Sequence, residues 1–254
     1  MEAVSCKALT CRKGADAVQR WGLGGLRVGR FRYERGDPNA KDSAKFIRAL
    51  CEVDGVRRWL GTEAAASDDV AVERLATTAI SMAPLEPLRT AGFALGGESS
   101  AVRQCPEVEL GGIRVEDELR KWLHAPADGA DVHACELDDE ERAARTPAAC
   151  GLDGSPVLDE LLFRIFRLLA VGGEMSQHDL ELDAYFDLTR AWYRDLATVY
   201  RKTDGGGAAI ATVAFSATGP LVLSEGGPRS ACLFLVEPKK RTCTIVHSPG
   251  AGAW

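Results

Sequence analysis

The sequence predicts an α+β fold, a single mixed domain with a central helical hairpin and a C-terminal antiparallel β segment. Three observations carry this expectation. Leu158, Leu161, Leu162, Ile165, Phe166, Leu168 and Leu169 recur at helical spacing and stop at Gly172-Gly173. Tyr185, Leu188, Trp192, Leu196 and Val199 form one stripe of a second helix, placed at about His178 to Arg201 and closed by Gly205–Gly207. After those glycines the pattern changes to short β-rich runs separated by turn residues. No βαβ unit repeats along the chain, which favours α+β over a doubly wound sheet.

The remaining elements follow in chain order. Residues 1–19 are expected to lack order, and the single α+β domain spans 20–254 with a flexible acidic insertion at about 125–156. Leu26–Tyr33 reads as a strand, because Leu26, Val28, Phe31 and Tyr33 gather branched and aromatic residues behind the turn glycines Gly22, Gly24 and Gly25. Asp42 or Ser43 is placed to cap a helix reaching about Glu52, with Phe46, Ile47 and Leu50 on one side. In Val70–Met82 the cluster Thr77, Thr78, Ile80 points to a strand in the second half. Pro84 and Pro87 then punctuate a short helix near Glu86–Ala91. Val115–Leu123 reads as a helix with Leu119, Trp122 and Leu123 on its apolar side. From Ala125 to Pro156 almost no large apolar residue occurs and Glu136–Glu141 is an acidic run, so that stretch cannot bury enough surface to order itself. Asp159 is the expected cap of the first hairpin helix. The C-terminal strands are placed at Ala209–Phe215, Pro220–Leu223, Ala231–Val236 and Thr242–His247, with Glu237-Pro238-Lys239-Lys240 as a hairpin turn.

Charge and composition narrow the function classes. Of the 254 residues, 46% are hydrophobic and 27% charged, enough apolar material for a core. The formal net charge is −6, distributed as +6 over residues 1–60, −15 over 61–200 and +3 over 201–254. The basic front Arg20, Arg27, Arg30, Arg32, Arg35 has few interleaved aromatics and sits on an acidic protein, so no nucleic-acid partner is expected. Met1–Thr10 has no signal-peptide pattern and no eighteen apolar residues run together, so no membrane partner is expected either. Without secretion the eight cysteines, Cys6, Cys11, Cys51, Cys105, Cys135, Cys150, Cys232 and Cys243, are expected as free thiols.

The residue types needed for chemistry are present, but their spacing does not assemble them. The glycines of Trp21-Gly22-Leu23-Gly24-Gly25 precede a strand, whereas a dinucleotide fingerprint follows one, and no Lys-Ser or Lys-Thr makes a P-loop of them. Cys6 and Cys11 form the only close thiol pair, and His133-Ala134-Cys135 lies in the acidic insertion. Neither has a second pair at metal-ligand spacing. His124, His133, His178 and His247 show no nucleophile signature beside them, and Ser224-Glu225-Gly226-Gly227 is a turn and not a nucleophile elbow. Glu116-Asp117-Glu118 and Asp138–Glu141 supply carboxylates pointing in different directions, without an opposed acid and base. No catalytic, cofactor-binding or metal-binding residue is therefore nominated, no cofactor is expected, and the chain is read as a protein that is not an enzyme and works through protein contacts.

At the hairpin the residues also resemble a known family. The motifs are Leu161-Leu162-Phe163-x-x-Phe166-x-x-Leu169-x-x-Gly172-Gly173-x-x-x-Gln177 and Tyr185-x-x-x-Thr189-x-x-x-Tyr193-x-Asp195-Leu196-x-x-Val199. Earlier anchors fall in the same order: Arg20-Trp21-x-Leu23-x-Gly25, Leu60-Gly61-Thr62-Glu63, Ser81-Met82 and Asp117-Glu118-Leu119-Arg120, with Phe234-x-Val236-x-Pro238 near the end. Together they resemble cilia- and flagella-associated protein 300, over roughly Arg20 to His247. The first fifteen residues, Ala127–Gly154 and the turns Gly205–Gly207 and Gly226–Gly227 depart from that pattern and inherit nothing. The resemblance implies a protein of the cytoplasm and of the ciliary or flagellar axoneme, needed for outer and inner dynein arms and motility. The partners it implies are dynein preassembly factors such as kintoun and the intraflagellar transport machinery. It carries over no catalytic residue.

A second expectation, from a different class, is a small-molecule-binding or enzymatic α+β protein whose pocket lies between the helical hairpin and the C-terminal strands, near the glycine-rich turn that Trp192, Tyr193 and Tyr200 flank. For the contact surface the sequence offers Arg190, Arg194 and Asp195 as charged residues near the hairpin, a pattern that a solvated helix face shares. Phe166 and Trp192 are expected in the core.

Overall fold

The computed structural model describes residues 2–3, 6–39, 42–61, 69–90, 93–96, 99–110, 113–124, 157–172, 179–202, 207–220, 222 and 229–249. In chain order the elements are β1 (Glu2–Ala3), α1 (Lys7–Thr10), α2 (Arg12–Arg20), β2 (Arg27–Arg32), α3 (Ser43–Cys51), α4 (Asp54–Leu60), β3 (Ala71–Leu75) and α5 (Pro87–Thr90). The ribbons β4 (Ala94–Gly96) with β5 (Ser99–Val102) and β6 (Gln104–Leu110) with β7 (Ile113–Asp117) lead to α6 (Glu118–His124). The hairpin helices are α7 (Leu161–Val171) and α8 (Leu182–Leu196), followed by β8 (Val199–Arg201), β9 (Ala208–Ile210), β10 (Val213–Thr218), β11 (Ala231–Glu237) and β12 (Thr242–Ser248).

Six of the strands make one antiparallel sheet in the order β1-β2-β12-β11-β10-β3. The run Ala231-Cys-Leu-Phe-Leu-Val is apolar at every position because both faces of this sheet are covered. Leu233, Leu235, Val246, Ala214 and Leu75 point to the layer that holds α7 and α8. Cys232, Phe234, Val236, Cys243, Ile245 and Phe215 point the other way, onto Phe46, Ile47 and Leu50 of α3 and Val56 and Leu60 of α4. The result is a three-layer α/β/α sandwich around an antiparallel sheet, the mixed α+β fold expected from the pattern.

The hairpin helices meet through Phe166 and Phe186, whose rings lie 5.6 Å apart at 71°. Phe166 and Trp192 are fully buried, as their spacing predicts. Gly172 ends α7 with a positive φ of 65°, a conformation that a side chain disfavours. In α3 the Asp42 carboxylate accepts from the Lys45 amide at 3.2 Å, the expected cap.

Several elements differ from expectation, each for a local reason. The N-terminal segment expected to lack order contributes α1 and α2. They pack on α8 and the core through Cys6, Ala8, Ala17 and Trp21. The strand of the Val70–Met82 stretch is its first half, since Ala71–Leu75 pairs with β10, while the Thr78 amide bonds the Glu160 carboxylate. Val115 to Asp117 belong to β7, so only Glu118 onward is helix. Asp159 does not cap α7. Its carbonyl accepts from the Ala76 amide at 2.8 Å, and Glu160 occupies the cap position without a side-chain bond to the helix. The second hairpin helix ends at Leu196, because Ala197 is extended and Val199 opens the β8–β9 ribbon. Ala209–Phe215 divides into β9 and β10, and Pro220 and Val222 lie in a turn rather than a strand. The acidic insertion from 125 to 156, and His178 at the predicted start of the second helix, lie outside the described residues.

Candidate functional site

The residues singled out near the hairpin occupy three different environments. Arg190 is exposed and pairs with Asp187 one turn earlier at 3.1 Å, and Arg194 is exposed. Asp195 is committed to the fold: its carboxylate accepts from the Ala8 amide at 2.6 Å and from the Cys6 thiol at 3.6 Å. That carboxylate meets the amino end of α1 and anchors the N-terminal segment to α8. The three side chains therefore do not present one charged docking patch.

The aromatic trio is likewise separated. Trp192 is fully buried in the core and Tyr193 nearly so, while Tyr200 is 42% exposed on β8 beneath the Lys239 ammonium at 5.2 Å. Burial pushes the Tyr193 hydroxyl pKa up, and Glu160 adds to the shift.

The family-like anchors converge instead on internal polar contacts. Trp21 donates its indole N–H to Asp179 at 2.8 Å, and Arg20 pairs with the other oxygen of that carboxylate at 2.9 Å. The Asp179 amide donates to the Tyr185 hydroxyl at 3.0 Å, and the Trp21 and Tyr185 rings lie 4.7 Å apart. The motif pairs Arg20-Trp21 and Tyr185 thus meet at Asp179, a residue the sequence patterns did not single out. Asp117 and Arg120 form a second node, a buried ion pair in which Asp117 also accepts from the Arg120 amide at 2.8 Å. Two residues of the basic front have structural work as well. Arg27 lies over the Trp59 ring at 5.2 Å and donates to the Trp59 carbonyl at 2.9 Å, and Arg30 reaches Thr244 at 3.3 Å.

Among the described residues no cysteine is joined in a disulfide. Cys51, Cys232 and Cys243 are buried in the α3–α4 layer, and burial pushes all three upward, Cys51 to about 12. Such thiols stay protonated and are poor nucleophiles. Among the described residues no group of three or more His, Cys, Asp and Glu side chains could hold a metal ion. His247 is buried, accepts from Arg27 at Nδ1 (3.2 Å) and donates from Nε2 to the Val222 carbonyl at 2.7 Å. Burial holds it neutral, with its pKa pushed down to about 4. No described helix is long and apolar enough to cross a membrane.

What the fold and these contacts define is an α/β/α scaffold whose polar side chains mainly hold its own segments together. Residues 156–248, spanning the hairpin and the C-terminal strands, match the family model described as cilia- and flagella-associated protein 300. A protein of that name from Paramecium tetraurelia is 25% identical over 154 residues, covering 60% of this chain and 54% of that relative. The chain thus spans about half the length of that relative. No solved structure matches the chain. The resemblance read from the ordered motifs is shown by these two findings.

Proposed function

We propose that the chain is a cilium- and flagellum-associated protein serving assembly of the axonemal outer and inner dynein arms, acting through protein contacts and not catalysis. The observation that carries this reading is the family match over 156–248, which covers both hairpin helices and the three central strands β10, β11 and β12. On this reading it acts in the cytoplasm and in the cilium or flagellum, with dynein preassembly factors such as kintoun and the intraflagellar transport machinery as partners. Trp192 and Tyr193 are buried in the core, which accounts for two of the three aromatics that motivate the small-molecule reading.

The test is disruption of the gene in a motile flagellate, with dynein heavy chains quantified on isolated axonemes. Loss of outer- and inner-arm heavy chains with impaired beating is expected. A full complement of axonemal dynein and normal beating would overturn the proposal.

A further inference from the structure

The β8–β9 ribbon presents apolar surface that the core leaves uncovered. Among the described residues six large apolar side chains are exposed, and Val199 at 54% and Tyr200 at 42% are the only two that are neighbours in sequence. Both stand on β8, which pairs with β9 from Val199 opposite Ile210 to Arg201 opposite Ala208. At the foot of the ribbon the Ala211 amide donates to the Thr198 carbonyl at 2.8 Å, and the Thr198 amide donates to the Thr212 hydroxyl at 2.9 Å. Thr212 precedes Val213, the partner of Val236, so the ribbon leaves the sheet beside the β11–β12 turn. That placement brings the Lys239 ammonium of the turn over the Tyr200 ring, at 5.2 Å.

Cations surround these two side chains. Side chains alternate along a strand, so Arg201 shares the face of Val199 and Lys202 continues the face of Tyr200. Lys240 follows Lys239 in the turn, and Arg32, from the basic front, stands opposite Thr242 where that turn ends. All five are exposed, and among the described residues none of them forms an ion pair. The described carboxylates within two positions of them along the chain are Glu34, which is exposed, and Glu237, which is buried. Residues 61–200 carry a charge of −15, so an anionic chain is repelled from most of the molecule and drawn to this end of the sheet.

We propose that this end of the sheet, with Val199 and Tyr200 at its centre and Lys202, Lys239 and Lys240 around them, docks an extended acidic segment of a partner protein that carries apolar side chains among its carboxylates. An apolar anchor inside a charged rim is the usual anatomy of a protein interface. The Lys239 ammonium lies on the Tyr200 ring without a carboxylate, which leaves its N–H groups to an incoming one. An extended segment suits the ribbon because, among the described residues, β8 and β9 pair only with each other and each keeps an open edge. Val199 favours a protein segment over a nucleic acid, since an aliphatic side chain neither stacks on a base nor bonds a phosphate. The inference rests on the reading that the chain works through protein contacts, and not on the dynein-arm part of that reading.

The test is fluorescence anisotropy of the full-length chain with a fluorescein-labelled glutamate peptide carrying phenylalanine at every third position, in about 50 mM and about 300 mM salt. Saturable binding with a Kd of about 10–100 μM is expected at low salt, weakening about tenfold at high salt. Lys239→Glu combined with Lys240→Glu should weaken it by about tenfold or more. Tyr200→Ala should weaken the phenylalanine peptide more than an all-glutamate peptide of the same length, and Tyr200→Phe should bind as the parent does. Arg58→Glu is the control: Arg58 is exposed on α4, which meets β2 at Arg27, the opposite end of that strand from Arg32. It should leave binding unchanged. The substituted side chains are all exposed, and thermal melting close to that of the parent would show each fold to be intact. The proposal is overturned by an absence of saturable binding, by equal weakening in Arg58→Glu, or by equal or tighter binding of an oligothymidylate of matched charge. A dimer in sedimentation that Tyr200→Ala dissociates would assign the ribbon to a second copy and overturn it as well. Each of these outcomes leaves the gene-disruption test of dynein-arm assembly to stand or fall by itself.

Discussion

Replacing Asp117 with alanine tests the strongest electrostatic commitment in the fold. Asp117 is 3% exposed and Arg120 6%, so the ion pair between them is screened little by solvent. The same carboxylate accepts from the Arg120 amide at 2.8 Å and thereby caps the start of α6. Two losses follow from Asp117→Ala. The missing cap costs about 1 kcal/mol. Stranding the buried Arg120 guanidinium without its partner costs about 3–5 kcal/mol, the usual range for one partner of a buried pair. Together these approach the whole stability of a modest domain, about 5–15 kcal/mol. Asp117→Asn keeps an acceptor for the amide and should fall between the parent and Asp117→Ala. The double variant Asp117→Asn with Arg120→Met should recover much of the loss, because no unpaired charge is left inside. Urea unfolding followed by circular dichroism gives the four stabilities. A cost below about 1 kcal/mol for Asp117→Ala would be that of an exposed pair and would refute the burial argument.

Two further outcomes follow from the same contacts. Trp21 is 1% exposed and its indole donates to Asp179. A double-mutant cycle of Trp21→Phe and Asp179→Ala should therefore show a coupling of about 1–2 kcal/mol in urea unfolding, and a coupling near zero would remove Asp179 as the junction between α2 and α8. Stability should also fall on acidification. His124 and His247 have pKa values of about 4 when folded, below the ordinary histidine value of 6.5, so the unfolded chain binds more protons as pH drops below 6.5. Their contribution is present in full above that value and is lost as pH falls through 6.5 toward 4. Urea midpoints should decline from pH 7 to pH 5, and His247→Asn should flatten the decline; equal slopes for parent and variant would exclude His247 as its source.

How far the sequence was legible follows from which interactions made each element. Helix α3 is local: Asp42 caps it, Phe46, Ile47 and Leu50 share a side, and all of that is written within ten residues. The β11–β12 pairing is almost as local, since the turn after Glu237 sets a register that runs from Glu237 opposite Thr242 to Ala231 opposite Ser248. What was not legible depends on distant partners. Thr77, Thr78 and Ile80 have strand propensity, yet Ala71–Leu75 is the strand because β10 lies beside it, and Glu160 draws Thr78 away. Asp159 has the composition of a cap, but a bridge between Ala76 and Glu160 fixes the backbone there before the helix begins. Residues 7–20 are tied down by Asp195 and Asp179, more than 150 residues along the chain, which no local pattern announces.

The same contrast bears on function. The ordered motifs that resemble the ciliary family include Trp21, Asp117, Arg120, Phe166, Thr189 and Tyr193, and each of these is buried. In this chain these residues tie α2, α6 and the hairpin to the rest of the core. A contact surface is under different constraints, because exposed residues can change without breaking the core. Arg190 and Arg194 stand on such a surface of α8, while Asp195 next to them is fixed by Ala8. Charge reversal at Arg190 and Arg194 is accordingly the informative way to look for a partner, and substitution at Asp195 is not. Loss of binding in the first case reports an interface, whereas in the second it would also report the release of α1.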